Sequence, residues 1–319
     1  MSKTQLFFTT DIHGSDVCFR KFINAGKAYK ADFLVLGGDI TGKMIIPIVE
    51  QDDGSHKAEY LGSDLVLKTK EEVEALEKNI KLIGAYFYHT NEVELSEFRQ
   101  DRSKINQLFE KLIRARVEEW AVLAEERLAG TNITCIINPG NDDAYFIDDI
   151  LKKSDNIIVP EGKDIQIDAY HEMISTGYSN ITPWHCERDV PEEEIEQKIE
   201  AMTSQVNDMK NCIFNFHCPP FDAVIDYAPL LDENMKPVLT AGGEPEMIPV
   251  GCKAVRAAIE KYQPLYGLHG HIHESKGFTR IGRTICLNPG SEYGEGVVRG
   301  VILVLDKKPE KCKWMFTEG

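Results

Sequence analysis

The sequence predicts an α/β protein, on two observations. Short apolar runs alternate with helical segments along most of the chain. Several of those runs end in Gly, Asp, Asn or His, residues suited to the ligand-bearing loops at the carboxyl ends of strands.

Along the chain, the first expected strand is Gln5–Thr9, followed by a helix over 15–30 and a strand at Phe33–Leu36. Ile133–Ile137 is the next strand of this kind, with a helix over 143–153 after it. Strands at Gln166–Tyr170 and Glu172–Gly177 precede a helix over 191–209. Pro191 suits the first turn of that helix, and Glu192–Glu194 suit the positive end of its dipole. Cys212–Phe216 and Leu265–Leu268 flank a helix over 252–262, and Thr284–Leu287 and Val297–Leu305 complete the strands.

Residues 43–130 read differently. MIIPIVEQ, DDGSHK and AEYLGSDLVLKT form a hairpin pattern with an Asp-Gly turn, and two long helical stretches follow, over 70–88 and 95–129. In the second stretch Phe109, Ile113, Val117, Trp120, Ala124 and Leu128 fall on one stripe. Ile105, Leu108 and Leu112 fall on another, so burial on two sides is expected.

Composition bounds the function. The chain has 319 residues, 42% apolar and 28% charged, an ordinary globular balance, and its length allows about two domains. Acidic residues number 52 against 36 basic, a net charge of −16, which argues against a nucleic-acid partner. The acidity is concentrated: residues 161–250 carry −13, whereas 251–319 carry +4, so it reads as a solvated face. Eight cysteines form no CxxC pair, and with no secretory signal they read as reduced core thiols. No apolar run approaches the length of a membrane span, and the expected location is cytoplasmic.

The chemistry-bearing residues sit at strand ends: Asp11-Ile12-His13, Gly37-Gly38-Asp39, Gly140-Asn141-Asp142, His217, and Gly270-His271-Ile272-His273. In extended backbone, residues i and i+2 point to one side. Asp11 and His13 are therefore placed to share one cation, and His271 and His273 to face one site, on the same ion or on two adjacent ones. A carboxylate, imidazole and amide set suits Mn, Fe, Zn or Ni, and the lack of thiolate argues against a structural zinc. A lone histidine is more often a hydrogen-bonded core residue, but five motifs at five strand ends outweigh that reading.

Read in order, DIH, GGDITG, GND, NFH and GHIH resemble the motif series of the calcineurin-like metallophosphoesterases. The resemblance runs from residue 4 to 305, interrupted by 43–130. It implies a four-layer αββα sandwich, two mixed β-sheets flanked by helices, with one catalytic domain over 1–319 carrying a hairpin-plus-helices insert at 43–130. It also implies two divalent cations, Mn first among the candidates. One would be held by Asp11, His13 and His273, the other by Asn141, His217 and His271, with Asp39 bridging. The implied reaction is phosphate ester hydrolysis, in which a hydroxide bridging the metals attacks phosphorus without a covalent intermediate.

Two departures from the family pattern bear on the substrate. The His that usually follows the motif Asn is here Asp142. A carboxylate beside cations rarely holds a proton to donate, so Asp142 is expected to orient Asn141 or a metal-bound water. Leaving groups needing little protonation are then favoured, unless His56, His89 or His185 of TPWHCERD supplies the acid. Secondly, Thr41-Gly42-Lys43 lacks the arginine found here in protein Ser/Thr phosphatases, which points instead to a diester or a nucleotide-like anhydride. Lys43, His185 and Ser291 are the candidate substrate contacts, and Gly294 and Gly296 frame a loop that the sequence does not place.

The expected function is a phosphodiesterase acting on a small phosphorylated molecule. A nucleotide or nucleotide-sugar pyrophosphatase is the alternative, and an inert phosphoesterase-like scaffold a third reading that seven filled ligand positions disfavour. The insert is expected to be a lid or a dimerisation arm, the latter making a homo-oligomer.

Overall fold

Two six-stranded mixed sheets form the centre of the computed structural model, which describes residues 3–319. The first contains β1 (Thr4–Thr9), β2 (Phe33–Leu36), β7 (Thr134–Ile137), β8 (Ile157–Ile158), β17 (Arg299–Leu305) and β18 (Lys313–Glu318), in the order β18-β17-β1-β2-β7-β8. The second contains β9 (Asp164–Gln166), β10 (Glu172–Thr176), β11 (Cys212–Phe216), β14 (Tyr266–Leu268), β15 (Gly277–Ile281) and β16 (Thr284–Asn288), in the order β15-β16-β14-β11-β10-β9. Each is parallel at its centre and antiparallel toward an edge. A separate antiparallel pair, β12 (Tyr227–Pro229) and β13 (Met247–Pro249), lies between β11 and β14 in the chain.

Side-chain alternation explains why the sheets stack. On β1, Leu6 and Phe8 point inward with Val35 and Ile136, and meet Met173, Ile213, Leu268 and Leu287 of the other sheet. Phe7, one register position over, faces outward into a separate core with Phe19 and Phe22. That outer face is covered by α1 (Asp16–Ala28), α4 (Arg102–Leu128) and α5 (Phe146–Leu151). The second sheet is covered by α6 (Glu192–Thr203) and α7 (Lys253–Tyr262) through Ile195, Ile199, Val255 and Ile259. The result is the αββα sandwich expected from the resemblance.

Several element boundaries differ from the sequence reading. The strand expected at Gln166–Tyr170 ends at Gln166, because Asp168 Oδ1 accepts from the backbone N–H groups of Tyr170 and His171 and turns the chain. The helix expected over 191–209 stops at Thr203, and Asp208 caps a separate 3-10 turn at Met209–Asn211. Edge strands β15 and β18 were not expected. Their exposed faces give no strong apolar run.

Residues 43–130 contain more than a hairpin and two helices. The hairpin of β3 (Ile45–Glu50) and β4 (His56–Tyr60) is present, and a second links β4 to β5 (Ser63–Leu67). The second turns on Leu61 and Gly62, both at positive φ (50° and 74°), as a two-residue primed turn requires. The first expected helix ends as α2 (Lys70–Leu82), and Tyr86–Asn91 becomes β6, parallel to β3. Gly84 at φ 80° ends the helical path, and the aromatic run Tyr86-Phe87-Tyr88 suits a strand. Ile46, Ile48, Leu67, Val73, Leu76 and Ile80 give this small α/β unit a core of its own.

The second expected helix is divided into α3 (Glu92–Gln100) and α4 by Asp101, whose side chain caps α4 at Ser103 N. The Val117, Trp120, Ala124 and Leu128 stripe is buried against the first sheet's helical layer, with Trp120 stacked on Phe19 at 4.4 Å. Burial on two sides is not observed. Ile105 is exposed, and only Leu112 of the second stripe packs against the core.

Candidate metal centre

Five loops at the carboxyl ends of β1, β2, β7, β11 and β14 converge. Asp11, His13, Asp39, Asn141 and His217 are buried there, while His273 stays partly accessible. Four of the seven expected ligands have left-handed backbones: Asp11 at φ 54°, His13 at 38°, Asp39 at 48° and His271 at 67°. Such strain is stored where the surroundings over-determine it. Asp11 N donates to Gly38 O at 2.9 Å, His13 N to Asp39 O at 3.0 Å, and His271 N to both Asp11 carboxylate oxygens at 3.1 and 3.0 Å. Gly38 is required by space as well as by its φ of 133°, since a Cβ there would lie 2.2 Å from His217 Nδ1.

The donor atoms fall into overlapping groups. Asp11, His13 and His273 form one, Asp39, His217 and His271 a second, and His13, Asp39 and Asp142 a third. The ring nitrogens of His13 and His273 face each other at 3.0 Å, and His273 Nε2 lies 3.3 Å from Asp11 Oδ1. Asp39 reaches both sides. Its Oδ1 is 3.3 Å from His217 Nε2 and its Oδ2 is 3.6 Å from His13 Nε2.

The surrounding hydrogen bonds aim these groups inward. His217 Nδ1 faces Gly37 O at 3.1 Å, which leaves Nε2 directed at the cluster. Asn141 Nδ2 donates to Asp189 Oδ1 at 2.8 Å, and Asn141 Oδ1 is buried with no hydrogen-bond partner among the described residues. A buried amide oxygen without a donor, beside imidazoles and carboxylates, fits a divalent cation.

The electrostatics agree. Burial pushes the Asp11 carboxyl up, but His217 and His273 more than offset it and hold the group well below the usual carboxylate range. Burial acts on Asp39 in the same way, and His217, His13 and Lys43 hold it low in turn. Burial pushes His13 down to about 3 and His271 to about 4. Burial would lower His217 too, but Asp39 and Asp11 outweigh it and raise the ring to about 10. Ionised carboxylates and neutral imidazoles are the protonation states that metal ligation needs, and on His217 a cation would replace the proton.

The other expected site residues occupy distinct places. Asp142 does not orient Asn141. Its backbone N–H donates to Asp39 Oδ1 at 3.1 Å, and its carboxylate pairs with Lys43 Nζ at 2.5 Å, 3.9 Å from His13 Nδ1. Adjacent side chains in this loop diverge, and Asp189 is the residue that holds Asn141. Ser291 Oγ donates to Asp11 O at 2.6 Å, tying two site loops together. His185 is exposed on a loop fastened to the Asn141 loop by Arg188 N, which donates to Asn141 O at 3.2 Å. His56 and His89 belong to the small sheet, where His89 pairs with Glu77 at 2.8 Å, and the fold does not bring them to the cluster.

Three contributors escaped the sequence reading. Asp143 is buried and accepts from Ile40 N, Thr41 N and Oγ1, and Gly140 N, clamping the Asp39 loop to the Asn141 loop. Asp189 lies 48 residues from Asn141, a separation with no local signal. Tyr293 packs its ring 4.8 Å from that of His13, from the position just before the loop framed by Gly294 and Gly296.

No family model matches the chain. Over 159 residues it is 30% identical to the uncharacterised protein MJ1162 of Methanocaldococcus jannaschii, covering 49% of this chain and 63% of that one. The match thus spans less than two thirds of that relative's length. One solved crystal structure aligns with a TM-score of 0.59 at 18% identity, over 99% of both chains. The crystal structure of TT1561 from Thermus thermophilus aligns with a TM-score of 0.52 at 13% identity, over 98% of this chain and 99% of that one. At these identities the likeness is one of fold. A third chain, described as a novel archaeal phosphodiesterase, aligns over 62% of this chain and 91% of its own at 14% identity and a TM-score of 0.23, too low to show a shared fold. Among the described residues no helix is long and apolar enough to cross a membrane.

Proposed function

We propose that the protein is a dinuclear metal-dependent phosphoesterase, acting on a small-molecule phosphodiester. The observation that carries the reading is the position of Asp39. One carboxylate stands between an Asp11, His13 and His273 group and a His217 and His271 group, while Asn141, on the loop that bonds to Asp39, keeps a buried oxygen with no hydrogen-bond partner among the described residues. Two divalent cations there, manganese first, would neutralise phosphate charge and bring the pKa of a bound water close to neutrality. The chain's own residues position the ligands: Asp189 sets Asn141, Gly37 sets His217, and Ser291 fixes the Asp11 loop. Lys43 at the rim offers a cation to a phosphate oxygen, with Ser291 and His185 as further candidate contacts. A scaffold role would not require every ligand position to be filled and aimed.

A second reading on the same site, nucleotide or nucleotide-sugar pyrophosphate hydrolysis, is favoured by the Lys43–Asp142 pair. A fixed cation in place of an imidazole suits a leaving group that is already a stable anion. The test is metal analysis of the purified protein together with hydrolysis of an aryl monoester, an aryl diester, a cyclic nucleotide and a dinucleoside diphosphate. Manganese-dependent diester turnover that is lost in His217→Ala and Asp39→Asn is expected. Turnover of anhydrides alone would select the second reading, and no metal uptake with no turnover would sink both.

A further inference from the structure

Around His13 and Asp142 stand two hydrogen-bond donors that the proposed metal ligands leave unused. Lys43 is half exposed and touches Asp142 through one N–H, and an ammonium has three to give. Tyr293 arrives from a different part of the fold, the 3-10 turn Tyr293–Glu295, with its ring centroid 4.8 Å from that of His13 and 5.9 Å from that of His273.

The turn that carries Tyr293 is built in. Ser291 Oγ, two residues before, is bonded to Asp11 O at 2.6 Å. Gly296 N donates to Tyr293 O at 2.9 Å, and Gly296 O accepts from Lys21 Nζ at 2.8 Å. The ring is therefore a fixed wall of the centre, and His13 links the two donors: its ring lies 4.8 Å from that of Tyr293, and its Nδ1 lies 3.9 Å from the Asp142 oxygen that Lys43 Nζ meets at 2.5 Å.

We infer that Tyr293 and Lys43, the latter set by Asp142, form the subsite for the leaving oxygen of the substrate. The inference rests on the phosphoesterase reading and deepens it. Water oxygen bonds to phosphorus, the P–O bond to the leaving group breaks, and its electron pair passes to the leaving oxygen. The charge there is met by a Lys43 N–H and the Tyr293 O–H, and neither side chain surrenders its proton. The proton lost by the attacking water and the one gained by the leaving oxygen are exchanged with solvent. Such a subsite selects diesters or anhydrides whose leaving group is itself a stabilised anion, an aryl oxide or a phosphate, over simple alkyl esters.

The test uses the manganese-loaded full chain with Tyr293→Phe, which keeps the ring, and Lys43→Gln, which keeps the length. Methyl aryl phosphodiesters graded from nitrophenyl to phenyl leaving groups are hydrolysed by each. Both variants should lose about 100- to 1,000-fold in kcat on the phenyl ester, the scale of one lost oxyanion donor, and at least about tenfold less than that on the nitrophenyl ester. Orthophosphate affinity, measured by calorimetry on the loaded protein, should fall about tenfold in Lys43→Gln. Equal losses along the series, or none, with wild-type turnover intact overturn the subsite alone. A wild-type protein that takes up no manganese and hydrolyses nothing overturns the phosphoesterase reading, and the subsite with it.

Discussion

Replacing Asp189 with Asn tests how the Asn141 oxygen is aimed. Asp189 Oδ1 accepts from Asn141 Nδ2 at 2.8 Å, while Oδ2 accepts from Thr182 N at 3.0 Å, Thr182 Oγ1 at 2.5 Å and Cys186 N at 3.0 Å. An asparagine at 189 has one oxygen, and three donors hold it on the Thr182 side. Its amide N–H groups must then face Asn141, where a second N–H donor 2.8 Å away is repulsive, so Asn141 rotates and turns its own NH2 into the metal centre. An NH2 group cannot ligate a cation. Losing the orientation supplied by such an outer partner typically costs 10- to 100-fold in metal affinity, which is about 1.4 to 2.8 kcal/mol. The assay is manganese titration by calorimetry, with thermal unfolding in parallel. Asp189→Asn should weaken the site containing His217 and His271 and barely move the metal-free Tm, because the loop contacts on Oδ2 persist. Asp189→Ala should lower the Tm as well, since four donors lose their acceptor at once. Wild-type affinity at both sites in Asp189→Asn would refute the argument.

Gly38→Ala puts a Cβ 2.2 Å from His217 Nδ1 at a φ of 133°, and should abolish tight manganese binding while lowering the Tm; an unchanged titration would show that the loop yields freely. Trp120→Ala should destabilise by about 3 to 5 kcal/mol in urea unfolding, because the ring is buried against Phe19, whereas Ile105→Ala on an exposed turn should change little. The Asp16 carboxyl is pushed up by burial but held below its ordinary value, 3.8, by hydrogen bonds from Arg20 and Trp120. A depressed folded value contributes stability above 3.8 that is lost as pH falls through and below it, so Asp16→Asn should lower the Tm at pH 7 and flatten its acid-side decline. Parallel Tm curves for the two proteins would count against that linkage.

The parts of the fold legible in the sequence were those fixed by local periodicity and by polar residues at strand ends. β2 and β11 fall where their apolar runs do, and the buried stripe of α4 follows its helical spacing. The same logic failed where a capping side chain or a turn interrupts a pattern. Asp101 divides a helix that its apolar spacing would continue, and Gly84 converts expected helix into β6. At the site, the convergence of the strand-end residues was legible because strand topology gathers them, but the side chains that support them were not. Asp189, Asp143 and Tyr293 act through contacts spanning 48, 103 and 280 residues, or their neighbours do, and no window along the chain contains both partners. Arg116 is a further case. A buried arginine on an apolar stripe reads as an error until its Nη1 is seen to donate to Gly14 O at 2.7 Å, carrying α4 to the loop of His13.

The charge pattern and the candidate metal centre are physically linked. Asp11, Asp39 and Asp142 concentrate negative charge around the point where a phosphate would have to sit, and the first two are held ionised by their surroundings. An anion entering that centre alone meets two buried carboxylates that the protonated His217 offsets only in part, an unfavourable contact at low effective dielectric. Cations reverse the sign of the field at the same atoms. On the proposed function, anion binding and cation binding would be coupled by this geometry, the metals preceding phosphate and Lys43 adding a positive group at the rim. A strongly acidic chain is thus compatible with phosphate chemistry. The same sign of charge that disfavours polyanions at its surface would, at the centre, favour the cations that the proposed phosphate chemistry needs.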